Sequence, residues 1–176
     1  MEPERIDSRE VWRGEMVALR VERFRTPDGA QFEREIVTHP GAVAIAAHDG
    51  ERIYLVRQRR EAVGEDALLE LPAGKLESGE EAHETAEREL AEEIGKRARS
   101  WTKLTTFYSS PGFSDEVVHL YLATDLYDAP AKADENEEIE VEAIPLSRLD
   151  DAISTCRDAK SLVGLLWLRA STGAGA

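Results

Sequence analysis

Val17, Leu19 and Val21 alternate with Ala18, Arg20 and Glu22, the two-residue period of a half-buried strand. Thr26-Pro27-Asp28-Gly29 supplies residues suited to a tight turn, so a partner strand is expected over residues 31–37. Residues 42–47 form an unbroken apolar run, read as a buried strand, with His48-Asp49-Gly50 as its turn and a further strand over 52–58. Leu71-Pro72-Ala73-Gly74 reads as a strand ending in a tight loop. Then the period changes. Ala82, Ala86, Leu90 and Ile94 recur every four positions, the buried stripe of a helix. Ser78 with Glu81 three residues on is expected to form a capping box that fixes its start. Strands follow over 101–107, 117–123 and 138–144, the last ended by Pro145. Residues 147–156 and 160–170 read as two helices, and the tail 171–176 as frayed. Strands flanked by helices on two sides predict an α/β sandwich.

The helix at 82–94 carries the candidate chemistry. Glu89, Glu92 and Glu93 crowd into about one turn, where positions three and four apart are neighbours. Like charges so placed cost roughly 0.2–0.5 kcal/mol per pair, a penalty that a divalent cation reverses. At about 100° per residue, Glu89 and Glu93 lie some 40° apart beside the Ala82 edge of the buried stripe, at the rim of the core. Mg²⁺ is typically held by one or two carboxylates plus the oxygens of a substrate phosphate. The residues therefore suggest a metal site for a phosphorylated ligand; the competing reading is a solvated acidic face.

Composition narrows the choice. With 22 basic against 36 acidic side chains the net charge is −14, which argues against a nucleic-acid polyanion as partner. A small anionic substrate remains compatible if metal ions neutralise it locally. The single cysteine, Cys156, excludes an intrachain disulfide, and with four scattered histidines it argues against structural zinc. Met-Glu-Pro-Glu-Arg lacks the pattern of a signal peptide, and no apolar run nears the ~20 residues that span a bilayer. The expectation is one soluble, cytoplasmic domain.

Residues 74–96 resemble the Nudix box, Gly-x5-Glu-x7-Arg-Glu-U-x-Glu-Glu-x-Gly-U with U a bulky aliphatic. Gly74, Glu80, Arg88, Glu89, Leu90, Glu92, Glu93 and Gly95 match it, and Lys96 departs at the final aliphatic position. Resemblance to Nudix hydrolases implies hydrolysis of a nucleoside diphosphate linked to another group, with Mg²⁺ as cofactor and Mn²⁺ as a substitute. It also implies an α/β/α sandwich with a mixed sheet. The segment Ser110-Pro111-Gly112-Phe113-Ser114-Asp115-Glu116 is similar to that of ADP-ribose pyrophosphatases, with Pro111 sixteen residues after Gly95. Pro72-Ala73-Gly74 and the acidic run Asp134-Glu135-Asn136-Glu137-Glu138-Ile139 point the same way. On this resemblance residues 1–40 form an N-terminal β-hairpin layer that builds a homodimer and reaches into the partner's cleft, and residues 41–170 form the hydrolase domain.

The resemblance implies the site as well. Glu89, Glu93 and the carbonyl of Ala73 hold the metal, Glu92 assists directly or through water, and Arg88 orients a carboxylate. Glu135 is the expected base that takes a proton from water and Glu137 a further ligand, two roles that stand open to exchange. Arg34 is placed against adenine and Arg60 against the diphosphate, with Glu70, Pro111 and Glu116 as further substrate contacts. Phe32 and Met16 line the base slot or serve ordinary packing. The expected reaction converts ADP-ribose to AMP and ribose 5-phosphate. The alternatives are another nucleotide sugar, such as GDP-mannose or ADP-glucose, a sensor that binds without hydrolysis, or a sanitiser of oxidised nucleotides.

Overall fold

The computed structural model describes residues 2–129 and 138–173. Two compact units emerge, Met1–Gly41 with Phe107–Val117, and Ala42–Thr106 with Val118–Ala176.

The first unit is built on an antiparallel sheet of β1 (Glu4–Arg13), β2 (Ala18–Arg25) and β3 (Gln31–Thr38), with β2 in the middle. The expected hairpin is thus a three-stranded meander. The extra strand, Glu-Arg-Ile-Asp-Ser-Arg-Glu-Val-Trp-Arg, has almost no apolar alternation and is exposed along nearly its whole length. It is held by pairing with β2 from Glu4–Arg25 to Arg13–Ala18, and no hydrophobic period announces it. The β2–β3 turn needs Gly29 at φ 91°, a left-handed angle that a side chain would strain. Glu22, 3 % exposed, is clasped by Arg5 at 3.0 Å and Arg20 at 3.1 Å. Residues 107–117 join this unit through Val37, whose N–H donates to the Phe113 carbonyl while its own carbonyl accepts from the Asp115 N–H.

The second unit contains β4 (Ala42–His48), β5 (Arg52–Arg60), β6 (Glu65–Glu70), β7 (Ala73–Lys75), α1 (Ala82–Ile94), β8 (Lys96–Tyr108), β9 (Val117–Asp128), β10 (Ile139–Pro145), α2 (Leu149–Thr155) and α3 (Ala159–Gly173). The sheet runs β10-β5-β4-β9-β8, with β6 beside β5 and β7 beside β4. It is mixed, since β4 is parallel to β9 and antiparallel to β5 and β7. β5 pairs with β4 only at Ala47–Tyr54 and His48–Ile53, which leaves the other end of β4 to pair with β7 at Ala42–Ala44. The strip 71–74 is thereby laid into the middle of the sheet.

β4 is apolar from Ala42 to Ala47, the part of it covered on both faces. Val43, Ile45 and Ala47 pack with Val56, Tyr121 and Ala123 against Ala86, Leu90 and Ile94 of α1. Side chains alternate along a strand, so Ala44, Ala46 and Leu120 point to the opposite face. There Gly164 of α3 lies so close that an added Cβ would stand 2.4 Å from Leu71 Cδ1 and 3.2 Å from Leu120 Cδ1. Both leucines are fully buried and have nowhere to go. Gly164→Val is therefore expected to destabilise the protein by roughly 1–3 kcal/mol through overpacking, read as a lower urea midpoint at unchanged slope.

Several boundaries differ from the sequence expectation: β8 begins at Lys96 instead of 101, β9 runs on to Asp128 instead of ending at 123, and α2 begins at Leu149 instead of 147. α1 is capped by Glu81, whose side chain accepts from the third-position backbone while Glu84 reaches back to the Glu81 N–H; Ser78 is not the cap. Gly79 sits at φ 84°, which breaks the helical path between Ser78 and Glu81. At the other end, α3 continues through Gly173 instead of fraying from residue 171; residues 174–176 lie outside the described residues.

Candidate active site

α1 presents its acidic face to the strip 71–74. Gly74 makes room for this: a Cβ there would stand 1.9 Å from Glu89 Oε1 and 2.0 Å from its carboxylate carbon. One residue earlier, the Ala73 N–H donates to Glu93 Oε2 at 2.9 Å. Glu93 is 9 % exposed, so this bond keeps a buried carboxylate from being left without a donor. Two carboxylates one turn apart are thus brought against two consecutive backbone units.

Arg88 gathers the remaining acids. Its Nε and Nη2 each donate to Glu80 at 3.1 Å, and its Nη1 donates to Glu89 at 2.7 Å and Glu92 at 2.9 Å. Glu80 also accepts from Thr85 Oγ1 at 2.8 Å, which straps the loop 76–81 onto the helix. The Arg88 fork, helped by Thr85, holds the Glu80 carboxyl down to about 2, and the same contact holds Arg88 above its ordinary value. Because the folded value lies below the unfolded one, the stabilisation is complete above about pH 4.5 and is lost as pH falls toward 2. Glu80→Gln is expected to lower the urea midpoint at pH 7, and the gap to wild type should narrow when both are measured at pH 2.5. An unchanged gap would remove Glu80 from the acid response.

A second cluster lies where β5 and β6 meet the start of α3. Glu70, 1 % exposed, accepts from Arg60 Nε at 2.7 Å and Nη2 at 2.9 Å, and from Lys160 Nζ. Burial alone would raise the Glu70 carboxyl; the Arg60 hydrogen bonds and the Lys160 charge outweigh it, so the net displacement is downward. Arg60 is raised in turn, chiefly by its hydrogen bond to Glu70.

In the first unit, Arg20, Arg34, Ile36, Tyr108, Pro111, Gly112, Phe113, Ser114 and Asp115 line a cavity of about 420 Å³. The Arg34 guanidinium lies 4.4 Å from the centroid of Phe32, and the Phe32 ring also stacks with Phe24 at 5.4 Å. Arg20 donates to Asp115 at 3.0 Å, and Asp115 accepts from the His39 backbone at 2.9 Å. Glu116 accepts from the Ser109 hydroxyl and lies 3.5 Å from His39 Nδ1. Met16 is exposed.

A profile of the NUDIX domain matches residues 37–162. The chain is 41 % identical to an ADP-ribose pyrophosphatase of Bacillus subtilis (strain 168) over 177 residues, covering 96 % of this chain and 94 % of that one. It is 38 % identical to a methanol dehydrogenase activator of Bacillus methanolicus, covering 96 % and 93 %. The chain belongs to the Nudix hydrolase family. The fold agrees: a crystal structure of an ADP compounds hydrolase superposes with a TM-score of 0.89 over all of this chain and 97 % of that one, at 22 % identity.

Nudix hydrolases generally depend on a divalent metal. Among the described residues, no three His, Cys, Asp or Glu side chains are grouped as a ready-made cage. A hard divalent ion is typically held by one or two carboxylates, with water and substrate oxygens in its other positions. Glu89 and Glu93, delivered to the Ala73-Gly74 backbone, supply that number. The structure thus brings together Ala73, Glu89, Glu92 and Glu93; separately Arg60 with Glu70; and separately Arg34 with Pro111. The expected base Glu135 and ligand Glu137 lie outside the described residues.

Three contributors have no role assigned from sequence. Glu80 carries a signal, its fixed place in the Nudix box, although its pairing with Arg88 eight residues on does not follow from helical spacing. Lys160 and Ser161 carry none, since each meets its partner across 90 residues of chain. Among the described residues, no helix is long and apolar enough to cross a membrane.

Proposed function

We propose that this Nudix hydrolase cleaves the diphosphate of ADP-ribose to AMP and ribose 5-phosphate, with Mg²⁺ as its metal and Mn²⁺ as a substitute. The observation that carries the reaction class is the seating of Glu89 on Gly74 and of Glu93 on the Ala73 N–H. This fixes two carboxylates of α1 beside a strip of backbone, the kind of donor set that would take a hard divalent cation. When bound, the metal neutralises the diphosphate and makes the attacking water more acidic. Glu89, Glu93 and the Ala73 carbonyl would hold it, with Glu92 contributing directly or through water. Glu135 takes the proton from water as its oxygen adds to phosphorus, and the bridging P–O bond breaks with its electron pair leaving on the departing phosphate. Glu137 serves as a further ligand. Arg88, bonded to Glu80, Glu89 and Glu92 at once, keeps the carboxylates oriented.

The choice of ADP-ribose is supported by the Bacillus subtilis relative and by two groups of side chains. The Phe32–Arg34 stack beside the Pro111 segment offers a flat, cationic wall of the kind adenine uses. Arg60, oriented by Glu70, presents a guanidinium edge to phosphate, and Glu116 serves the ribose. The exposed Val11, Trp12 and Met16 of the first unit supply the apolar surface for a homodimer.

Product analysis of ADP-ribose with Mg²⁺, beside GDP-mannose, ADP-glucose and oxidised dGTP and with a chelator control, tests this reading. AMP and ribose 5-phosphate formed fastest from ADP-ribose, and abolished by chelator, is the expected result. Faster turnover of another compound would keep the metal site and discard the substrate. Tight binding of ADP-ribose without turnover in either metal would make the protein a sensor.

A further inference from the structure

Glu89 and Glu93 are positioned by backbone atoms of the strip 71–74, so whatever holds that strip also sets the carboxylates. β7 pairs with β4, and Ile45 N–H donates to the Pro72 carbonyl at 2.9 Å. The remaining anchor comes from α3, on the far side of the sheet from α1. The Leu71 N–H donates to Ser161 Oγ at 2.7 Å. The Ser161 hydroxyl in turn donates to Asp158 Oδ2, the same oxygen that accepts the Ser161 N–H at 2.9 Å. Asp158 is held on its other oxygen by Lys160 at 3.0 Å, and Lys160 also binds the buried Glu70, the residue before Leu71. Ser161 is 1 % exposed and Leu71 fully buried, so no water stands ready to replace either partner. The hydroxyl uses its hydrogen on Asp158 and a lone pair on Leu71, a pairing that requires a group both donor and acceptor.

We infer that Ser161 is a positioning residue for the metal-binding carboxylates, acting through the Leu71–Gly74 backbone from the opposite face of the sheet. This rests on the reading that Glu89 and Glu93 hold the metal. Groups that orient ligands without touching the ion typically change metal affinity or activity by 10–100-fold when removed. Without Ser161 Oγ, the Leu71 N–H is buried with no acceptor, and the strip shifts to relieve it. The donor to Glu93, two residues along, moves with it.

The test measures Mn²⁺ binding without substrate, by electron paramagnetic resonance, on wild type, Ser161→Ala, Ser161→Thr and Leu168→Ala. Leu168 is a buried α3 residue about two turns beyond Ser161 and outside the hydrogen-bonded clamp, and its truncation destabilises the same helix by opening a cavity. Ser161→Ala is expected to bind Mn²⁺ about 10–100-fold more weakly, with faster hydrogen exchange at the Ala73 amide. Ser161→Thr, which keeps the hydroxyl, recovers most of the affinity, and Leu168→Ala binds as wild type. Wild-type affinity in Ser161→Ala, or an equal loss in Leu168→Ala, overturns the inference. Absence of Mn²⁺ binding by wild type, or undiminished binding by Glu93→Gln, overturns the metal reading itself and the inference with it.

Discussion

Glu93→Gln is expected to lower kcat for ADP-ribose about 10³-fold, while the melting temperature holds or rises by about 2 °C. A thousandfold loss corresponds to about 4 kcal/mol of barrier, within what a metal's charge supplies at a developing phosphate. Glutamine is the informative replacement because it changes charge with little change in shape. Its amide oxygen can still accept the Ala73 N–H that Glu93 accepts at 2.9 Å. Alanine would confuse the result, since it leaves that buried N–H without an acceptor at a cost of about 1–3 kcal/mol. Stability should not suffer, because the substitution also removes a like-charge neighbour four positions from Glu89, worth roughly 0.2–0.5 kcal/mol. In a chain of this size 1 kcal/mol corresponds to about 2–4 °C. Steady-state kinetics and a thermal melt on one preparation decide it. Wild-type kcat in this variant would remove Glu93 from the metal site.

What the sequence disclosed and what it hid divide along one physical line. Elements whose stability comes from burying a regular stripe were legible: β2, β4, β5 and β9 by alternation or an apolar run, and α1 by Ala82, Ala86, Leu90 and Ile94. β1 was not, because its ten residues bury almost nothing and are held by backbone pairing to β2. The placement of β7 was not either, since it depends on β5 parting from β4 after two residue pairs, a tertiary event with no local code. The acidic face of α1 could be read because helical spacing converts directly into proximity. The contacts that set its geometry could not: Gly74 meets Glu89 across 15 positions, Ala73 meets Glu93 across 20, and Ser161 meets Leu71 across 90. The motif preserved Gly74 and Glu80 as letters without their reasons. The structure supplies those reasons, a carboxylate where a methyl group would be and a two-pronged bond to Arg88.

Gly74→Ala should be almost as damaging to catalysis as loss of Glu89, with a kcat at least about 100-fold lower, or about 2.7 kcal/mol of barrier. The reason is steric. Gly74 is not among the glycines at left-handed angles, so alanine is not refused on backbone grounds. The obstacle is that its Cβ would fall 1.9 Å from Glu89 Oε1, 2.0 Å from Cδ and 2.7 Å from Cγ. Those atoms end a flexible side chain, so the fold survives and the carboxylate swings away from the strip. The 2.7 Å bond from Arg88 Nη1 to Glu89 is broken with it, while the Arg88 bonds to Glu80 remain. KM for ADP-ribose should change by no more than about threefold if, as proposed, the displaced group serves the reacting diphosphate and not the adenosine end. A double-mutant cycle isolates the cause. If Gly74 matters only by making room for Glu89, then Gly74→Ala added to Glu89→Ala should cost almost nothing further, and the two losses should be strongly non-additive. A further hundredfold loss in the Glu89→Ala background would mean that residue 74 serves the reaction through its backbone, and the packing of Glu89 against it would be incidental.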